Sequence, residues 1–542
     1  MRKTRYNYSV NILNEKGVKT QQIGGTHYVY RDKPYWDKSK KQNRHAREYI
    51  GKLDEGGTFI PNKEYLRCQN EKELGENSTF QSSVASRKFF GAVHLLNYIS
   101  ENTGLKQDLF KVFGAKLGKK IMSLAYFLVL EGESSMYRFR KFAKTHKHPY
   151  ELPISSQQIS DIFAGISEQE KTAFFSLWAK RCLKEEEYLA YDTTSISSYS
   201  EMMKQVKFGK NKDSDNLAQI NLALLFGEKS KLPVYYRKMP GNINDVSAVK
   251  KMLADISFLG INKANFVLDR GFYSKENVDN LYKNHHKFLI AGRSNTDIYK
   301  NFISDISERI TEFANYSIEH DLYCTTKETR WNYEYEDRQG KKQTKKKIIY
   351  LHGYFDSARA EREKNSFLKK LKLAQEAFNL GNHTDKEKSL IKRFFIVTDC
   401  ENCTLKNHNQ EAIEAHLKTF GFFMLLSNNI KGATEALSVY RNKDVAEKAF
   451  FNIKNRLDMK RTKVSLEESL EGKLFLQFIA LIYISYIHQT ISSHDLYKNY
   501  SMASLLDEID VIEIFEYQNK KTHFSEITKK QRTLLECFGV SF

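Results

Sequence analysis

The chain is poor in cysteine. Six cysteines in 542 residues are too few for a disulfide framework, and this scarcity fits a reducing cytoplasm. Cys400 and Cys403, with His408 nearby, lack the second CxxC pair that would complete a four-ligand zinc site. Proline is equally scarce, at six, while Lys, Asn, Tyr, Phe and Ile are abundant; that bias points to an AT-rich genome and says nothing of activity. No apolar run follows the basic start, so no secretory signal is expected. The most apolar stretch, residues 474–487, is short for a membrane span and contains Gln477. It reads as a buried helix, and no membrane partner is expected. No internal repeat is found.

Positive charge is what the chain has in excess. A formal net charge of +20 in a protein with 41% hydrophobic and 13% aromatic residues describes a folded, multidomain chain that meets a polyanion, most commonly nucleic acid.

The pattern along the chain divides it into six parts. Residues 1–67 alternate short β-like runs with turns and form a basic segment: 26–30 is a strand, 38–47 a basic loop or short helix, and Gly56-Gly57 a turn. Residues 68–185 open on a polar linker to about 85 and continue with helical periodicity. Within them residues 154–163 fit a helix-turn-helix piece capped by Ser155 or Ser156, or equally an ordinary bundle helix. Residues 186–292 read as strands 188–193, 220–226 and 232–239, helix 244–258, strand 265–269, helix 274–282 and strand 287–291. Three strands in a meander followed by αβ units match an RNase H-like α/β core. Residues 293–419 read as a β-rich insertion domain, with a hairpin pairing 329–335 and 346–352 across a basic turn. Residues 420–460 resume the core with a strand and one long helix at 433–456, and residues 461–542 form a helical tail.

Three carboxylates stand out. Asp192 and Asp269 each fall at the end of an expected strand, and in an RNase H-like sheet the first and fourth strands are neighbours. Their carboxylates would then meet as hard oxygen ligands for Mg2+ at a phosphoryl-transfer site. Either residue alone also fits a turn or a helix cap. Glu447 lies on the last core helix. At 3.6 residues per turn, Tyr440 sits at about +20°, Lys443 at about −40° and Lys454 at about −20° from it. A carboxylate flanked by a phenol and two ammonium groups suits a phosphate beside a metal, and it also fits the solvated face of an amphipathic helix.

The combination resembles the DDE transposases of bacterial insertion sequences, the superfamily often called IS-four. Their signature, Tyr-x2-Arg-x3-Glu-x6-Lys, appears as Tyr440, Lys443, Glu447 and Lys454. Lys443 replaces Arg and loses the bidentate fork. Tyr-Asp-Thr-Thr-Ser at 191–195, Pro-Gly-Asn-x-x-Asp at 240–245 and Leu-Asp-Arg-Gly-Phe-Tyr at 268–273 resemble other family motifs, as do 28–36 and 47–53.

The resemblance implies a two-metal Mg2+ site (Mn2+ as substitute) on Asp192, Asp269 and Glu447. It implies in-line attack by metal-activated water at an element end, then strand transfer by the freed 3′-hydroxyl. It also implies double-stranded DNA partners, a homodimer in the DNA complex and a bacterial, nucleoid-associated location. Tyr440, Lys443, Lys454 and Arg270 would contact DNA, and Trp331 would stack on a flipped base as an insert Trp does in some relatives. Asn242, Asn244 and Asp245 read as a turn and helix cap, and Lys341, Lys342, Lys345, Lys346 and Lys347 as a solvated loop that DNA meets. The rival readings are an RNase H-like nuclease without strand transfer, an inactive DNA-binding derivative, and an RNA-binding enzyme.

Overall fold

The computed structural model describes residues 12, 16–37, 40, 42–65, 84–132, 135–183, 187–209, 216–261, 263–336, 339–398, 404–517 and 522–542. The linker at 68–83 and the Cys400/Cys403 pair lie outside the described residues.

The chain forms two compact units: residues 1–85 with 517–521, and the remainder. The first is an antiparallel sheet of β1 (Val18–Ile23), β2 (Thr26–Asp37), β3 (Gln42–Leu53) and β4 (Phe59–Pro61), in that order. Residues 42–47, expected as part of a basic loop, belong to the long strand β3, where Arg47 pairs with Asp32 in register. Val29, Ile50, Phe59 and Tyr65 make this unit's small core.

The second unit begins at Ser86, within β5 (Val84–Phe89), and continues with α1 (Gly91–Asn102), α2 (Leu105–Glu131), α3 (Phe139–Thr145), α4 (Ser156–Gly165) and α5 (Glu168–Cys182). Ser155 caps α4 through a capping box with Gln158, which answers the choice between the two serines. These helices share one hydrophobic core with the sheet that follows, so they are not a separate body.

The sheet's first part is β6 (Tyr188–Ser197), β7 (Gln219–Gly227), β8 (Pro233–Pro240), α6 (Asp245–Phe258), β9 (Asn265–Leu268), α7 (Lys275–Lys283) and β10 (Lys287–Ala291), element for element as the periodicity predicts. Next come α8 (Asp297–Ile306), β11 (Tyr316–Ser317), β12 (Leu322–Glu336) and β13 (Lys342–Phe355). Then come α9 (Ser357–Asn379), α10 (Asp385–Phe394), β14 (Phe395–Thr398), β15 (Thr404–His408), α11 (Gln410–Leu417) and β16 (Phe422–Ser427).

The sheet order is β11-β12-β13-β16-β10-β9-β6-β7-β8. The hairpin expected inside a separate insertion is therefore continuous with the central sheet, because β13 pairs with β16 from Tyr350 to Phe355. Its register also differs: Thr329 faces Ile349, and the turn is shorter than expected. Lys342, Lys345, Lys346 and Lys347 lie on β13 and not in a loop. What projects between β13 and β16 is mainly helical, with its own cluster of Phe367, Leu371, Phe378, Ile391 and Phe394.

The last segments are α12 (Ala433–Arg441), α13 (Asp444–Phe451), α14 (Glu467–Ser493), α15 (Met502–Asp510), the hairpin β17 (Glu513–Tyr517) and β18 (His523–Phe524), and α16 (Lys529–Cys537). The tail is thus not purely helical, since β17 adds to β5. α14 is long and apolar enough to span a membrane by length and composition, and 78% of its apolar window is buried inside the protein. It packs on α1, α2, α4 and β8, and its Phe475 and Phe478 rings meet Phe174 and Phe175 of α5.

Lys473, 2% exposed on α14, donates from Nζ to the Thr462 carbonyl at 2.9 Å. Burial, with Lys463 adding repulsion against the weaker pull of Asp458, pushes its pKa down to about 8. Between pH 8 and the ordinary lysine value, the unfolded chain holds a proton that the folded chain has lost, so stability rises with pH across that window. Relative to Lys473→Met, wild-type stability is expected to rise by up to about 3 kcal/mol there, as measured by urea melts at stepped pH.

Candidate active site

β9 runs parallel to β6 with Tyr191 opposite Leu268. The next positions are Asp192 on β6 and Asp269 just past the end of β9, so register brings the two residues side by side. β6 continues to Ser197, which places Asp192 in mid-strand and not at a strand end. Its Oδ1 accepts the Thr193 amide N–H at 2.7 Å, and Thr193 Oγ1 donates to Asp245 Oδ1 at 2.6 Å. Asp269 stands where β9 gives way to a short 3-10 turn over Arg270–Phe272. Ser274, not Asp269, caps α7.

Asn244 caps α6 through the Ser247 amide, as expected. Gly241 before it passes so close to β7 that a Cβ would lie 2.1 Å from the Gln219 carbonyl oxygen. That explains the Pro-Gly-Asn turn without a metal role.

The helix expected across 433–456 is broken. α12 ends at Arg441, residues 442–443 form a tight turn, α13 restarts at Asp444, and a π-helical turn occupies Asn452–Arg456. Asn442 Nδ2 donates to Glu228 Oε1 at 2.5 Å, tying the break to the β7–β8 turn. Ala446, Ala449 and Phe450 are the buried face of α13.

Despite the break, most of the signature converges. Tyr440 Oη donates to Asp269 Oδ1 at 2.6 Å. Lys443 Nζ lies 2.9 Å from Glu447 Oε1 and 5.2 Å from the Tyr440 ring centre. Burial works against the Lys443 charge, but Asp269, Glu447 and Asp192 together hold its pKa above the ordinary value. One ammonium therefore feels all three carboxylates. Burial alone would raise Asp269, yet the Tyr440 hydroxyl, the Lys443 charge and the Arg270 amide keep it below the usual carboxylate range. The Tyr440 phenol is pushed far up by burial and by Asp269, so it stays a donor.

Among the described residues, no three acidic, histidine or cysteine side chains are drawn together closely enough to hold a metal ion. Glu447 pairs with Lys443 instead, its side chain 59% exposed, and Asp192 and Asp269 act on the same ammonium through their charge. The donor set, carboxylate oxygens beside the Lys443 ammonium, fits a hard divalent cation in chemistry.

A family model described as "Transposase DDE domain" matches residues 184–483, more than half of the chain. The chain belongs to the DDE transposase family. No curated protein matches it. Among solved structures it is similar to a cryo-electron microscopy structure of piggyBac transposase in a synaptic complex with hairpin DNA. The identity is 11% and the TM-score 0.34, over 78% of this chain and 76% of that one, a likeness too distant to bear on the site.

The other residues singled out in this transposase fare unequally. Arg270 is exposed immediately after Asp269, and its carbonyl accepts from Arg293 Nε at 2.8 Å. Lys454 falls on the π-helical turn, off the continuous helix that would have aligned it with Glu447. Trp331 is 8% exposed, and its Nε1–H donates to Asp279 Oδ1 at 2.7 Å. A base-stacking role is therefore corrected to packing, because the indole is spent on the β12–α7 contact. The Thr193–Asp245 bond is a feature missed from sequence; Asp245 is the last residue of the Pro-Gly-Asn-x-x-Asp motif, the one available signal.

The Tyr440 contact gives a direct prediction. Tyr440→Phe removes a donor from Asp269 while burial stays, so the carboxyl pKa rises. Activity is expected to fall about tenfold, as for a lost hydrogen bond to a charged group, and its acid limb should move to higher pH. A pH–rate profile that keeps its acid limb in place would remove Tyr440 from this role.

Proposed function

We propose that this transposase cuts DNA at the ends of an insertion sequence and joins the freed 3′ ends to target DNA, using Asp192, Asp269 and Glu447 as its catalytic carboxylates. The observation that carries the reading is the apposition of Asp192 and Asp269 on adjacent parallel strands, with Glu447 tied to the same point through Lys443. The order β8-β7-β6-β9-β10, a meander flanked by two parallel strands, supports an RNase H-like core.

Asp192, Asp269 and Glu447 would hold the divalent cation, Mg2+ with Mn2+ as substitute. When bound, it supplies charge stabilisation for the oxygens of a phosphodiester under attack. The chain's own residues do the rest. Tyr440 fixes one oxygen of Asp269 as an acceptor and leaves the other for ligation. Lys443 sets the charge balance of the carboxylates and orients Glu447. Arg270 and Lys454 offer cations to the DNA backbone on either side. No covalent link to the protein is required, so Tyr440 acts as a contact and not as a nucleophile. The family resemblance further supports two copies acting on two element ends, on nucleoid DNA.

Incubating purified protein and Mg2+ with a pre-cut element end and plasmid target tests the reading. Joined products are expected. Cleavage without joining would make the chain a nuclease, and neither reaction would leave a DNA-binding derivative.

A further inference from the structure

A cavity of about 520 Å3 lies behind α13, between the β7–β8 turn and the end of α14. Four cations line it: Lys229, Lys231, Arg441 and Lys448. Asp444 is its one lining carboxylate. Among the described residues, none of the three lysines has a carboxylate within ion-pair distance, and Arg441 lies 3.2 Å from His320 Nδ1. Lys229, Arg441 and Lys448 are exposed and Lys231 half-buried, so the four give the cavity a net positive charge that attracts an anion.

The cavity adjoins the carboxylates through one helix. Asp444, Lys448 and Asn452 line it, whereas Glu447 lies about 100° round the same turn from Lys448. Asn442, also in the lining, is tied to Glu228 at the turn that carries Lys229, and the next residue is Lys443. A strand held at Glu447 would reach the cavity without leaving α13.

We propose that this cavity is a second DNA-backbone site, taking phosphodiester groups of the strand that continues past the carboxylates. The proposal rests on the DNA reading above. Its ligand chemistry is shared by DNA phosphates and free phosphate, and the proximity to Glu447 favours DNA.

The test combines Lys229→Ala, Lys231→Ala and Lys448→Ala. Binding of a fluorescent duplex of arbitrary sequence is followed by anisotropy over a salt series. A control variant, Lys369→Ala with Lys370→Ala and Lys372→Ala, removes equal charge from the exposed face of α9. The cavity variant is expected to bind more weakly and to lose about three from the slope of log K against log salt, at about 0.9 per phosphate contact. The control should keep the wild-type slope. Lys448→Gln alone, which spares most of the structure, should lose about one.

An unchanged slope in the cavity variants, or an equal loss in the control, overturns the proposal. So does calorimetry in which inorganic phosphate binds wild type but not the cavity variant while DNA slopes stay equal, since the cavity is then a small-anion site. A wild-type chain that binds no duplex overturns the DNA reading itself, a failure distinct from the others.

Discussion

Asp192→Asn and Asp269→Asn are each expected to reduce DNA cleavage and strand transfer about a thousand-fold while leaving duplex binding near the wild-type level. The size follows from what one ligand contributes. Charge stabilisation at a phosphoryl centre is worth several kcal/mol, and each 1.36 kcal/mol is a factor of ten. Asparagine keeps the shape of both side chains, so Thr193 retains its Oδ1 acceptor and Tyr440 its partner.

Each variant also removes a negative charge that helps hold Lys443 protonated, Asp269 being the larger contributor, so Lys443 should titrate at lower pH in both and furthest down in Asp269→Asn. Mn2+ titration by electron paramagnetic resonance supplies an independent reading: both variants should lose ordered ion. Either variant turning over at the wild-type rate with wild-type Mn2+ affinity would remove these carboxylates from the site.

What could be read from sequence follows the range of the interactions. β6 to β10 are legible because short apolar runs, buried along most of their length, are bounded by local turn residues, and the apposition of Asp192 and Asp269 follows once those strands are ordered. The fusion of the β12–β13 hairpin to the central sheet is not legible, since β13 finds β16 only across the whole helical excursion. Nor is the break at 442–443: no Gly or Pro marks it, and the tie from Asn442 to Glu228 is a tertiary contact. Trp331 is different. On β12, Trp331 and Tyr333 are buried while Arg330, Asn332 and Glu334 are exposed. Strand alternation pointed the indole inward before any functional analogy was needed.

Gly472→Val is expected to unfold the second unit at temperatures where wild type is stable. A glycine inside a long helix costs about 1 kcal/mol relative to alanine, so its presence in α14 needs a cause. A Cβ there would lie 2.2 Å from the Phe163 carbonyl oxygen and 2.4 Å from the Phe163 Cα. Both are backbone atoms, and α4 is pinned by buried Ile159 and Phe163, so no side chain can swing aside. The two helices must separate. Overpacking typically costs about 1–3 kcal/mol. Alanine recovers part of that through helix propensity, whereas valine adds bulk and recovers less. Gly472→Ala should therefore lower the melting temperature modestly and Gly472→Val severely, in calorimetric scans of the full chain.

The consequence reaches the site. Beyond Gly472, α14 carries Lys473, bonded to the Thr462 carbonyl, and Gln477, which donates to the Leu457 carbonyl at 3.2 Å. Both anchor the chain just after the π-helical turn that follows α13. Moving α14 moves the support of Glu447, so the alanine variant should lose strand transfer out of proportion to its small loss of stability. A valine variant that melts with wild type would mean that the approach of α4 to α14 does not constrain this position.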